Sequence, residues 1–240
     1  MQIGGIILAR YNSRRLPGKA LKDIGGKPIL LQIYQALRQY FSQGNIVVAT
    51  SSSPTDDPIA AFCKQHQIHC YRGSLDKVAE RFYDCAKHFG FEFAFRINGD
   101  NLFVESRCIV QMMADVQQDA SYDFLSNVKE RTFPFGMSVE LLNTEFYGHC
   151  LEKFQQDARY QEHVTLYLYE NENIGERKYY FNTKTPEAKG AHLAIDTPED
   201  FEIAQLIYAQ MLEPNNTPPL ADLIRYYKQA KKKYEASLER

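Results

Sequence analysis

Short apolar runs alternate with helix-period stripes through the first half of the chain. Residues 3–9, 45–50, 68–71 and 93–97 read as strands. The first, second and fourth are nearly uninterrupted apolar runs, the pattern of strands covered on both faces. Between them, Leu30, Ile33, Tyr34, Leu37 and Phe41 recur at the spacing of one helix face, and Val78, Phe82, Cys85 and Phe89 repeat the pattern further on. Strand and helix alternating at this pace predict right-handed βαβ units and a doubly wound α/β layer with a mostly parallel sheet. Segment 123–142 is less regular, with two short strand-like pieces around a turn-rich stretch at 132–136. A helix from about Thr144, strands at 178–182 and 192–195, and helices from Pro198 and about Leu220 complete the pattern. Pro214-Asn215-Asn216-Thr217-Pro218-Pro219 reads as a linker, so one domain over residues 1–213 is expected, with 214–240 forming linker and terminal helix.

Composition narrows the class. With 44% hydrophobic residues, 16 Tyr and 15 Phe, the chain is too apolar for disorder and can bury a sizeable core. Twenty-eight Lys and Arg stand against 30 Asp and Glu, for a formal net charge of −2. Nucleic acid and anionic membranes are therefore not expected as partners held by bulk charge. No apolar run reaches membrane-span length, and residues 3–9 lack the basic flank of a signal peptide. The five cysteines are an odd number without C-x-x-C spacing, which fits reduced thiols and a cytoplasmic location.

In an open α/β sheet, ligands sit outside the carboxyl ends of the strands. The loops after Ala9, Thr50, Ile97 and Ile195 are therefore the places to look for chemistry. Ala9-Arg10-Tyr11-Asn12-Ser13-Arg14-Arg15-Leu16-Pro17-Gly18-Lys19 puts four cations between a buried strand and the next helix. Arg presents a fixed fork of donors and Lys a compact charge, and both match phosphate oxygens. Either a multiply charged anion binds here or this is a solvated basic turn. A P-loop is excluded, because Gly18-Lys19 is followed by Ala20 and Gly26-Lys27 by Pro28, and no G-x-G-x-x-G follows the first strand.

Two acids stand at strand ends. Arg96-Ile97-Asn98-Gly99-Asp100 closes the fourth strand. In Ile195-Asp196-Thr197-Pro198-Glu199-Asp200, Thr197 reads as N-cap, Pro198 as N1 and Asp200 as the capping-box acid. That leaves Asp196 just outside the helix with no capping task. Two carboxylates facing a cationic loop suit Mg²⁺–polyphosphate chemistry, whereas either alone could simply stabilise a turn. Cys63, His66, His69 and Cys70 are close enough in sequence to raise zinc, but a helix end followed by a strand spreads them over different faces. Lys228, Lys231, Lys232 and Lys233 read as a solvated helix face.

The loop Ala9-Arg10-Tyr11-x-Ser13-x-Arg15-Leu16-Pro17-Gly18-Lys19 resembles that of sugar-acid cytidylyltransferases, including the 3-deoxy-manno-octulosonate and acylneuraminate types. Val48-Ala49-Thr50, Arg72-Gly73-Ser74, Arg96-Ile97-Asn98-Gly99-Asp100, Phe133-Pro134-x-Gly136, Glu162-His163-Val164-Thr165 and Asp196-Thr197-Pro198-Glu199-Asp200 are similar to the spore coat polysaccharide biosynthesis protein F branch. The resemblance implies a GT-A-like nucleotidyltransferase fold with a small middle lobe. It also implies Mg²⁺ as cofactor, CTP and a small acidic sugar as substrates, and a homodimer built by segment 123–182. Carried over by position, Arg10, Ser13, Arg15 and Lys19 would hold the triphosphate, Ala49, Thr50 and Ser74 would lie near the nucleoside, and Ala9 and Arg96 would also be nucleotide-binding. Asp100 and Asp196 would ligate Mg²⁺ and, with Arg10 and Lys19, form the catalytic set. Glu140, His163 and Thr165 would face the acceptor.

Ser138 departs from the family pattern, which often has Asp there, and Leu102 stands where Pro is common. Two other classes compete with the transferase reading. One is a non-catalytic nucleotide-binding relative, to which Ser138 lends weight. The other is a GT-A glycosyltransferase, whose usual D-x-D motif is incomplete in Asp100-Asn101-Leu102.

Overall fold

The computed structural model describes residues 1–211 and 217–239. Residues 214–216 of the expected linker thus lie outside the described residues. The chain opens with β1 (Ile3–Leu8), a small hairpin of β2 (Asp23–Ile24) and β3 (Lys27–Pro28), and α1 (Ile29–Leu37). Next come β4 (Ile46–Ser51), α2 (Asp57–Gln65), β5 (His69–Gly73), α3 (Val78–His88), β6 (Phe93–Asn98) and α4 (Ser106–Gln118). The middle segment supplies β7 (Phe124–Ser126), β8 (Glu140–Asn143), α5 (Thr144–Phe154), α6 (Ala158–Glu162), α7 (Leu166–Glu170) and β9 (Arg177–Tyr179). Helices α8 (Pro198–Tyr208) and α9 (Leu220–Leu238) close the fold.

Seven strands form one sheet in the order β5-β4-β1-β6-β8-β7-β9, with β8 antiparallel to both its neighbours and the other pairings parallel. Alternate residues of each central strand serve opposite cores, as the period of two requires. Ile7, Val48, Phe95 and Ile97 pack with α1, α2 and α4 on one face. Ile6, Val47, Ala49 and Ala94 pack with α3 and α5 on the other. This double cover explains the uninterrupted apolar runs.

The chain runs outward from β1 to β4 and β5, then returns to place β6 on the other side of β1. A crevice opens at such a switch point, outside the carboxyl ends of the two strands. Gly99 lets them come together there: its N–H donates to Leu8 O at 2.8 Å, and a Cβ at 99 would stand 2.9 Å from the Ala9 Cβ.

Segment 192–195 is not a strand, contrary to expectation. It meets the loop of Phe135 through a single bridge, because that loop turns away at Gly136 after one pairing. Its backbone is nonetheless anchored, with Phe135 N–H donating to Ala191 O, Leu193 N–H to Phe135 O and Ile195 N–H to Asp100 O. At 177–179, the described strand is shorter than the expected 178–182.

Candidate active site

The basic loop leaves β1 at the switch point. Gly18 N–H donates to Tyr11 O at 2.9 Å, closing the loop on itself, and Tyr11 N–H donates to Asp56 Oδ1 at 2.7 Å. Asp56 is fully buried and also accepts from the Ser51 backbone at 3.0 Å and from the Ser51 hydroxyl. Burial alone pushes this carboxyl up, but its hydrogen bonds from Ser51 and Tyr11 bring it below the ordinary value. The carboxylate therefore ties the cationic loop to the end of β4. Sequence reasoning missed Asp56. The Ser53 cap and Pro54 in front of it mark a helix start, which gives an acid nearby a purely structural reading.

Arg10 and Arg15 stand exposed on the loop and Ser13 is half-buried, whereas Lys19 reaches inward. Its Nζ donates to Asp100 Oδ2 at 2.7 Å and to Asp196 Oδ1 at 3.0 Å, and Arg15 Nη2 lies 3.4 Å from Asp196 Oδ2. The two carboxylates thus converge on one cation beneath the basic loop. Asp100 is delivered by the tight departure at Gly99. Asp196 is delivered by the anchored 191–196 segment and by the capping box, in which Thr197 Oγ1 accepts from Asp200 N–H and Asp200 accepts from Thr197 N–H. Burial raises the Asp196 carboxyl, but the hydrogen bond and charge of Lys19, with Arg15 and His192, outweigh it and hold the group below its ordinary value.

Beside this pair lies a cavity of about 680 Å³. Asp100 and Asp196 line it, as do His163, Thr165, Glu140 and Arg96. Arg10, Ser13, Ala49, Thr50 and Ser74 are not among its lining residues, so the carboxylate pair stands between this cavity and Lys19 of the basic loop. Ala9, Ala49 and Thr50 are buried, and Ala9 N–H donates to Ala49 O at 3.2 Å, which ties the start of the basic loop to β4. Ser74 is half-buried and caps its own turn, Oγ accepting from Lys77 N–H at 3.1 Å.

Arg96 is placed with the cavity, not with the basic loop. It is ion-paired to Glu140, which is 1% exposed and also accepts from Tyr169 Oη at 2.6 Å. Both Glu140 oxygens are therefore engaged within the protein, and burial pushes the Tyr169 hydroxyl far above its ordinary range. His163 is exposed on the cavity wall just beyond α6, and Thr165 is buried at the start of α7. Arg131, Arg159, Tyr169 and His192 also line the cavity and were not expected from sequence. They come from four separate segments with no shared motif. His192 Nε2 lies 3.8 Å from both Asp196 and Asp200.

Elsewhere, the Cys63 and Cys70 thiols are hydrogen-bonded to one another, while His66 and His69 turn onto the rings of Phe62 and Phe89. The four lysines of α9 are exposed.

The profile of the cytidylyltransferase family matches residues 5–233. The chain belongs to the cytidylyltransferase family. It is thus a nucleotidyltransferase enzyme by descent, as its resemblance to the sugar-acid branch implied. Spore coat polysaccharide biosynthesis protein SpsF of Bacillus subtilis is 30% identical over 208 residues, covering 85% of each chain. A solved cytidylyltransferase from Leptospira borgpetersenii superposes with a TM-score of 0.86 at 28% identity, covering 97% of this chain and 96% of that one. A CMP:2-keto-3-deoxy-manno-octonic acid synthetase complexed with CTP shares the fold, with a TM-score of 0.64 at 17% identity over 88% of this chain and 99% of its own. The nucleotidyltransferase α/β fold of this cytidylyltransferase is thereby established.

Proposed function

We propose that the protein transfers CMP from CTP to a small acidic sugar and releases pyrophosphate, supplying an activated sugar for surface glycan assembly. The convergence of Asp100 and Asp196 on Lys19, between a basic loop and a separate cavity, carries this reading. Supporting it are the SpsF relative, named for polysaccharide biosynthesis, and the fold neighbour named as a sugar-acid synthetase holding CTP. Two hard carboxylates within reach of one cation fit Mg²⁺, which takes one or two carboxylates plus phosphate oxygens. When bound, it would supply charge neutralisation for the triphosphate.

The chain's own residues supply the remainder. Arg10, Ser13, Arg15 and Lys19 bind the phosphates and stabilise charge on the departing pyrophosphate. The cavity holds the acceptor so that one hydroxyl lies in line with the α-phosphorus. A bond forms from that oxygen to phosphorus, the bridge to the β-phosphate breaks with its electron pair leaving on pyrophosphate, and the hydroxyl proton passes to solvent. Nucleotidyl transfer of this kind needs positioning and electrostatics more than covalent help. The same reading takes the enzyme as cytoplasmic and homodimeric through segment 123–182.

The test incubates the protein with Mg²⁺, each nucleoside triphosphate in turn and a panel of sugar acids, and measures pyrophosphate. Release with CTP that depends on a sugar acid is the expected result. Nucleotide binding without release, or transfer from a preformed nucleotide sugar, would overturn it.

A further inference from the structure

Three guanidinium groups line the cavity, and two are already answered by carboxylates. Arg96 is paired with Glu140, and Arg159 grips Glu170 with two prongs, Nη1 to Oε1 at 3.0 Å and Nη2 to Oε2 at 2.8 Å. Arg131 differs: no carboxylate ion-pairs with it among the described residues, and its polar contact is with Ser138 Oγ at 3.4 Å. Its guanidinium lies 4.7 Å from the Phe135 ring centre, and that ring is itself 5.8 Å from His192. Stacking on an aromatic face fixes the plane of the group and leaves its forked edge open to a planar anion. The backbone is special as well. Glu130 and Arg131 have φ of 62° and 50°, a left-handed pair of non-glycine residues of the kind that persists where surrounding structure dictates it, often at a ligand site.

Building on the transferase reading, we propose that Arg131 is the acceptor-recognition residue of the cavity, its guanidinium receiving the carboxylate of the sugar acid. The other wall cations are spent on internal pairs, so the anionic group of an acceptor finds its charge complement at Arg131. Ser138 keeps that cation available. A carboxylate at position 138, on the same wall and already in contact range, would neutralise it internally. The departure from the family pattern at 138 thus acquires a physical meaning: it leaves one positive charge for the substrate.

The experiment titrates 3-deoxy-manno-octulosonate and N-acetylneuraminate, each as free acid and as methyl ester, onto wild type, Arg131→Met and Ser138→Asp by calorimetry with CMP present. For the acid that binds wild type more tightly, both variants lose roughly 10- to 100-fold in affinity, the worth of a charge-assisted fork. Esterification costs wild type a similar factor but costs Arg131→Met nothing further, while CTP affinity is unchanged in both variants. Equal binding of the acid by wild type and Arg131→Met overturns the assignment, as does failure of both acids to bind wild type. Pyrophosphate release measured in parallel separates the two levels. Turnover with an unaltered acceptor KM in Arg131→Met removes Arg131 alone. Carboxylate-dependent binding through Arg131 without release removes the transfer reaction and leaves the subsite standing.

Discussion

Replacing Lys19 by methionine keeps the apolar stem and removes the ammonium that bridges Asp100 and Asp196 at 2.7 and 3.0 Å. Those contacts hold the two carboxylate oxygens within about 6 Å of each other, where like charges repel by about 3 kcal/mol at an effective dielectric of about 20 and by less than about 1 kcal/mol in water. With the aspartates 21% and 26% exposed, the true value falls between these limits, and Arg15, 65% exposed, screens little of it. The expected loss of stability is thus about 1–3 kcal/mol at neutral pH. Millimolar Mg²⁺ should return part of it by taking the place of the ammonium.

Acid dependence gives a second readout of the same variant. The Asp196 carboxyl is held below its ordinary value, so its contribution is present above the unfolded value near ~3.9 and is lost as pH falls through the lower folded value. Wild type should show this loss on the acid side, and Lys19→Met should show a flatter profile. Urea unfolding of both proteins between neutral pH and pH 3, with and without Mg²⁺, measures all three effects. A variant with the wild-type midpoint, the wild-type acid slope and no response to Mg²⁺ would refute the bridging argument.

Three further outcomes follow from the geometry. Asp100→Asn should leave the circular dichroism spectrum intact and lower turnover by on the order of 10²-fold or more, so near-normal pyrophosphate release would remove Asp100 from the reaction. Asp56→Ala strands the Tyr11 and Ser51 N–H groups and should cost about 2–4 kcal/mol in urea unfolding while weakening CTP binding; unchanged nucleotide affinity would show that the loop holds its shape without this tether. Gly136→Ala meets φ +90° and would place a Cβ 2.3 Å from Ala194 N, so a loss of at least about 2 kcal/mol and a weaker response to Mg²⁺ are expected, and a wild-type melting temperature would count against the close approach.

The central layer was legible in the sequence because burial on both faces writes itself as apolar runs: β1, β4 and β6 fall within a residue or two of the runs at 3–9, 45–50 and 93–97. The Thr197 capping box was equally legible, since its bonds join residues three apart. No helix was expected at α4, although its core face, Cys108, Ile109, Met112 and Val116, is a stripe present in the sequence beside an irregular stretch. Segment 192–195 shows the opposite failure, because a short apolar run records burial without saying whether the neighbour is a strand or a turn.

By itself, the sequence determined the strand–helix alternation, the cationic loop after β1, an acid just past the end of β6 and another just before the Thr197 capping box, because local spacing specifies each of these. Only the tertiary structure decided that Asp100 and Asp196, 96 positions apart, share one ammonium. It also decided that Arg96 is spent on Glu140 and that Arg131 stands on the cavity wall with no carboxylate ion-paired to it among the described residues. Charge compensation depends on which side chains the packed sheet brings within a few ångströms, and that proximity has no period along the chain.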